Sequence, residues 1–216
     1  MKRVTLAVAM AFVLLLARNA AAVPVIDGVN SLGEWTTGLI INTFDINEGG
    51  IPDAYDLSHI AMKMESSGGV DDGLYVLIEL HGVPTFTSLD ILPPIDPVFY
   101  ATGIDVNGDG DFLDMDDRIF DFRASGFTVY DGSGAVVAGS PSSAMSSAVE
   151  DFIPKGMFGS FPLSSFQTFS LLDNGGGPED DRVPDEGFSK PVPEPTSMLL
   201  FGSGLLGALG LRRRKR

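Results

Sequence analysis

Between Gly38 and Leu171 the chain is cut by Gly, Asp and Pro into runs of four to eight residues with almost no helical periodicity. Runs that short rarely sustain helices, so the pattern predicts strands. The expected strands are Gly38–Phe44, His59–Glu65, Leu74–Leu80, Val98–Asp105, Arg118–Ala124, Phe127–Asp131, Ala135–Ala138, Ala148–Ile153 and Ser165–Leu171. Ile60–Met64 reads as an alternating strand, and Leu74–Leu80 as one buried on nearly both faces. Asp131-Gly132-Ser133-Gly134 reads as a hairpin turn, because Gly tolerates the positive φ of tight turns. Such spacing predicts an all-β fold, an antiparallel β-sandwich. The stretch from Asp173 to Pro195, rich in Gly, Asp, Glu and Pro, reads as an extended linker leaving the body.

The chain closes on Pro193-Glu194-Pro195, a mostly apolar run from Thr196 to Leu211, and five consecutive cations, Arg212 to Arg216. As a helix the run would rise about 24 Å against a hydrocarbon core of about 30 Å, a thin anchor. The terminal cations hold that end in the cytoplasm and put everything before Pro193 outside. An ordinary C-terminal anchor is one reading, but it would need no Pro-Glu-Pro. The order of the three parts resembles the PEP-CTERM sorting signal. That resemblance implies recognition by an exosortase, cleavage near Pro193, Glu194 and Pro195, and release to the cell surface or extracellular matrix after transient membrane insertion.

The other end agrees. Lys2 and Arg3 precede an apolar run from Val4 to Ala17, and Ala20-Ala21-Ala22 offers the small residues that signal peptidase requires. Cleavage is expected after Ala22. The organisation is therefore a signal peptide (1–22), a β-sandwich domain (23–189) and a sorting signal (190–216). Between the expected cuts, from Val23 to Pro195, Lys and Arg fall from 14 to 6 while all 29 acids remain, a formal charge of −23. A body so acidic repels phosphate backbones, which argues against nucleic acid as a partner, and it attracts divalent cations. There is no cysteine, so stability outside the cell must come from the core or from metal.

Val25-Ile26-Asp27-Gly28-Val29-Asn30-Ser31-Leu32-Gly33-Glu34-Trp35 opens the body. With Asp72–Val76, Asp105–Asp111, Val149–Pro154 and Asp181–Asp185 following in order, it is similar to family 9 carbohydrate-binding modules and related DOMON-like sandwiches. The resemblance implies a jelly-roll-like sandwich and permits polysaccharide as a partner. Sugar recognition on such scaffolds stacks pyranose rings on exposed aromatics. Trp35, the only tryptophan, sits within the opening motif and is expected in the core. Tyr55, Tyr100 and Tyr130 are alternatives that no sequence feature gathers on one face.

The sharpest chemistry lies between Asp105 and Asp116. Against a Ca²⁺-loop template, Asp105, Asn107 and Asp109 supply oxygens at positions 1, 3 and 5, and Gly110 supplies the turn at position 6. Asp111 stands at position 7 for a backbone carbonyl and Asp116 at position 12. Leu113 offers nothing at position 9, where Asp114 or Asp117 could substitute. Ca²⁺ is thus the expected cofactor, with a structural role or as a bridge to acidic polysaccharide. The alternative is that Asp, Asn and Gly gather because turns favour them.

Catalysis finds little support. His59 and His81 lie at strand ends without a nucleophile elbow, and there is no cysteine. Asp71/Asp72, Glu179/Asp180/Asp181 and Asp185/Glu186 read as solvated loop acids. The expected protein is an exported, non-catalytic surface or matrix component. The alternative is a secreted carbohydrate-active enzyme, a glycoside hydrolase or lyase, which would need two carboxylates at catalytic separation.

Overall fold

The computed structural model describes residues 23–31, 34–36, 38–47, 51–86, 98–163, 165–173, 181–184 and 187–191. The signal peptide with Ala22, the segment Pro193, Glu194 and Pro195, the apolar run, and the acids Glu179, Asp180, Asp185 and Glu186 lie outside them. Among the described residues ten strands form: β1 (Leu39–Phe44), β2 (Leu57–Glu65), β3 (Gly73–Leu80), β4 (Phe99–Asp105), β5 (Arg118–Arg123), β6 (Gly126–Asp131), β7 (Ser142–Met145), β8 (Val149–Pro154), β9 (Gln167–Asp173) and β10 (Asp181–Val183). A single 3₁₀ turn, Lys155–Met157, is the one helical element among the described residues. Among those residues no helix is long and apolar enough to cross a membrane.

The strands form two five-stranded sheets, β1-β2-β3-β8-β7 (sheet A) and β10-β9-β4-β5-β6 (sheet B), antiparallel throughout. Between them lies one core. Sheet A contributes Leu57, Ile60, Met62, Val76, Ile78 and Val149, and sheet B answers with Tyr100, Ile104, Phe120, Val129, Leu172 and Val183. Each large apolar side chain buried there contributes about 1.5–3 kcal/mol, which lets a body without disulfides hold together. The fold is the antiparallel β-sandwich that the run lengths predict.

A second cluster lies on the other side of sheet A, where the N-terminal segment crosses and packs Trp35 and Ile26 over Ala61, Tyr75, Leu77 and Ala148. Strand β3 is therefore buried on both faces, as its unbroken apolar run implies. The same cover buries the outward positions of β2, where alternation predicts solvent. Lys63 is only 2% exposed, with its ammonium 3.5 Å from Glu65 Oε1.

Three expectations change. Residues 135–138 form no strand; only Tyr130 and Val136 bridge, because Gly139 and Pro141 follow at once and Pro cannot donate to a ladder. The turn before them holds as expected: Asp131 Oδ1 accepts from the Ser133 and Ala135 amides and the Ser133 hydroxyl. Strand β7, Ser-Ser-Ala-Met, carries no β-branched signal and exists because β8 offers a free edge. The supposed linker is partly folded: β10 pairs with β9, and Ser189 exchanges backbone bonds with Thr168 at 3.0 and 2.8 Å.

Candidate functional site

The opening motif turns out to be a clasp. Fully buried Glu150, on the outward side of β8, accepts the amides of Asp27 (3.0 Å) and Gly28 (2.9 Å) at Oε2 and the Trp35 indole N–H (2.9 Å) at Oε1. Gly28 has φ +78°, and a Cβ there would stand 2.5 Å from Ser146 N, so no side chain fits. Glu34 closes the segment by accepting from Val25 and Ser31 amides. Burial pushes the Glu150 carboxyl up despite these three donors. Trp35, 4% exposed, is core as expected and offers no sugar platform. Tyr55 and Tyr100 are buried too, and Tyr100 is spent on Thr85, donating to its carbonyl and accepting from its amide.

The acidic loop connects β4 to β5 and folds around its own amides. Asp105, fully buried, accepts from Gly108 N (2.6 Å) and Gly110 N (2.7 Å). Asn107 accepts from Asp109 N, Asp109 from Asp111 N, and Asp111 from Leu113 N, all at 2.8–3.0 Å. These are successive side-chain turns of the kind Asp and Asn make locally. Gly110 has φ +91°, the conformation its template position demands. Asp116, assigned to position 12, is exposed, with Oδ1 2.8 Å from where a Gly159 Cβ would stand. The residue that turns inward is its neighbour, Asp117, fully buried and accepting from Val106 N and Asp114 N at 2.9 Å.

Burial, with the charges of Asp105 and Asp114 adding to it, raises the Asp117 carboxyl above its ordinary range. Arg118 braces the base of the loop, donating to the carbonyls of Met115, Asp117 and Met157. Among the described residues no three acidic, histidine or cysteine side chains converge to hold a metal. A cation here would rely on at most two carboxylates, with amide, backbone and water oxygens completing its shell.

Beside this loop, the outward face of sheet B carries an aromatic cluster. Phe112 from the loop, Phe169 from β9 and Phe188 from the C-terminal segment pack together, with ring centroids 4.9, 5.0 and 6.2 Å apart. Gly103 makes room, since a Cβ there would strike Phe169 at 2.6 Å. The Arg182 guanidinium lies 4.5 Å above Phe169 and 5.2 Å from Phe188. Across the same face, Arg123 sits 4.4 Å over Phe99 and meets Asp121 at 2.9 Å. Leu171, Ile119 and Tyr130 lie between, all partly exposed. Of the three tyrosines named from sequence, only Tyr130 stands on this face. The mid-strand Gly103 was the one sequence signal for it, since a strand glycine marks a close approach.

The histidines serve packing. His59 bonds Glu79 Oε2 (2.8 Å) and Asn42 Oδ1 (2.7 Å) through its two nitrogens and stacks under Phe44 at 4.1 Å. The hydrogen bond from His59, outweighing burial, lowers the Glu79 carboxyl. His81 Nε2 stands 3.7 Å from Asp56. Asp72 binds Lys155 at 2.8 Å and accepts the amides of Gly68 and Gly69, the work of a turn.

Residues 191–215 match the PEP-CTERM protein-sorting motif. Among solved structures the fold is similar to a carbohydrate binding module family 9 from Caldicellulosiruptor kristjanssonii in complex with cellotriose, at 17% identity. That match covers 70% of this chain and 73% of the other, with a TM-score of 0.43. No curated protein matches the chain.

Proposed function

We propose that this is an exported, non-catalytic surface or matrix protein, processed by an exosortase after signal peptidase and transient membrane insertion. Its β-sandwich retains polysaccharide on the outward face of sheet B. The sorting motif implies export and a place at or beyond the cell surface. The observation that carries the glycan reading is the ring cluster Phe112, Phe169 and Phe188 with Arg182 stacked upon it, partly open to solvent. Apolar faces of sugar rings lie on such surfaces, and guanidinium donors bond the hydroxyls at their rims. Affinity electrophoresis of the mature protein through gels containing the host's own polysaccharide tests this. We expect retardation, lost in Arg182→Ala and Phe169→Ala, without release of reducing ends. Unretarded migration, or turnover abolished by one carboxylate change, refutes it.

Ca²⁺ at the 105–117 loop belongs to the same proposal. In its support, two fully buried carboxylates, Asp105 and Asp117, stand close enough for one to raise the other, and a cation offsets such repulsion. With so few carboxylates the affinity should be that of extracellular modules, about 10⁻⁴–10⁻³ M. Melting the protein in millimolar Ca²⁺ and in chelator should separate the midpoints by several degrees. Coincident midpoints argue for a self-sufficient turn.

A further inference from the structure

The last docked residues fix where the sorting tail leaves the body. Ser189 bridges Thr168 antiparallel, and its hydroxyl lies 2.6 Å from that of Thr43, so the chain beyond runs toward Gln167. Gln167 pairs with Asp105 and donates its amide to the Gly108 carbonyl. The tail therefore departs beside the acidic loop. Four residues lie between Pro191 and Thr196, the first of the apolar run, so five Cα steps join them, at most about 18 Å of extended chain. Strand β4 alone, seven residues, is about 23 Å long. A body tethered so briefly cannot present its far end to the membrane.

The near end is dressed for that position. Leu113 and Met115 stand on the loop at 72% and 74% exposure, and Val136 at 66% on the adjoining turn. Gly132 N donates to Asp114 O at 3.1 Å, which sets the turn against the loop. Asp109, Asp111, Asp114 and Asp116 surround these tips, so anionic headgroups are repelled and zwitterionic ones accepted.

We infer that, while the tail is attached, this end rests on a zwitterionic phospholipid bilayer with Leu113 and Met115 in its interface, where they orient the body for processing. The inference rests on reading residues 196–211 as membrane-inserted.

The chain has no cysteine, so single sites can be labelled cleanly. The full chain carrying Met115→Cys, or Val83→Cys after the far end of β3, is labelled with an environment-sensitive fluorophore and added to vesicles of phosphatidylcholine and phosphatidylethanolamine. Flotation is measured first. The expected result is flotation of both variants, with lipid-borne quenchers dimming the label at 115 several-fold more than at 83. Adding phosphatidylglycerol should reduce that difference. Flotation with both labels equally open to aqueous iodide overturns the orientation alone. Failure to float overturns the membrane reading of the tail and the inference with it.

Discussion

Asp151 offers a quantitative test of the packing. In β8 it alternates with Val149 and Ile153 and so faces the core, opposite Val76 on β3 and Ser143 on β7. Burial pushes its carboxyl from 3.8 up to about 7; the Ser143 hydroxyl, which donates to Oδ1, opposes this, and the charge of Glu150 adds to it. The folded state therefore holds a proton that the unfolded chain has released between about pH 4 and 7. Over that window this group's contribution falls as pH rises, and it is flat above. A rise from 3.8 to about 7 corresponds to about 4 kcal/mol. Asp151→Asn keeps an oxygen for Ser143 and cannot ionise. Urea unfolding followed by the fluorescence of Trp35 should find the two proteins similar at pH 4. The variant should then gain steadily, by about 2–4 kcal/mol at pH 8. Comparing the two curves removes the background from Glu150, which is raised, and from Asp72 and Glu79, which are lowered. A gap constant within about 0.5 kcal/mol across pH 4–8 would refute the burial argument.

Glu150→Ala strands two buried donors, the Gly28 amide and the Trp35 indole, each worth about 1–3 kcal/mol, and frees the part-buried Asp27 amide, so a loss of about 2 kcal/mol or more is expected. Trp35 emission should shift to the red, and protease should remove the N-terminal segment first. Gly132→Ala places a Cβ 2.2 Å from the Asp114 carbonyl and should cost about 1–3 kcal/mol by calorimetry, whereas Gly134→Ala on the same turn meets no neighbouring atom, so its smaller cost comes from φ +83° alone.

The parts of this fold legible in sequence are those where one local rule decides. Alternation and turn residues place eight of the ten strands, because Val, Ile and Phe in short runs have one way to be buried. β7 and β10 escape, since Ser-Ser-Ala-Met has no β-branched residue and Asp-Arg-Val is too short to read as a run, and both pair where a neighbouring edge is unfilled. The motif with Asp27, Gly28 and Trp35 is legible as a unit, but its partner, Glu150, lies over a hundred residues away. In the loop the spacing by two is legible in sequence and folds as successive side-chain turns, yet Asp116 and Asp117 are adjacent acids on a backbone whose direction sequence does not reveal. The aromatic face is the hardest to foresee. Phe112, Phe169 and Phe188 come from three separate segments, and only the β4–β9 register over Gly103 brings them together.

That register also joins three roles that sequence order keeps apart. Phe112 lies within the loop proposed to take Ca²⁺, packs on the rings proposed to hold polysaccharide, and touches Phe188, three residues before the sorting motif begins. A cation that stiffens the 105–117 loop would steady Phe112, and through Phe188 the point at which the tail departs. Loosening the loop should therefore weaken glycan retention and free the C-terminal segment together. Were the loop an ordinary turn, Asp105→Asn would lower the melting midpoint and leave the mobility of the folded protein in a polysaccharide gel unchanged. If the loop, the rings and the tail exit are one mechanical unit, the same substitution releases retention at temperatures where the sandwich is still folded.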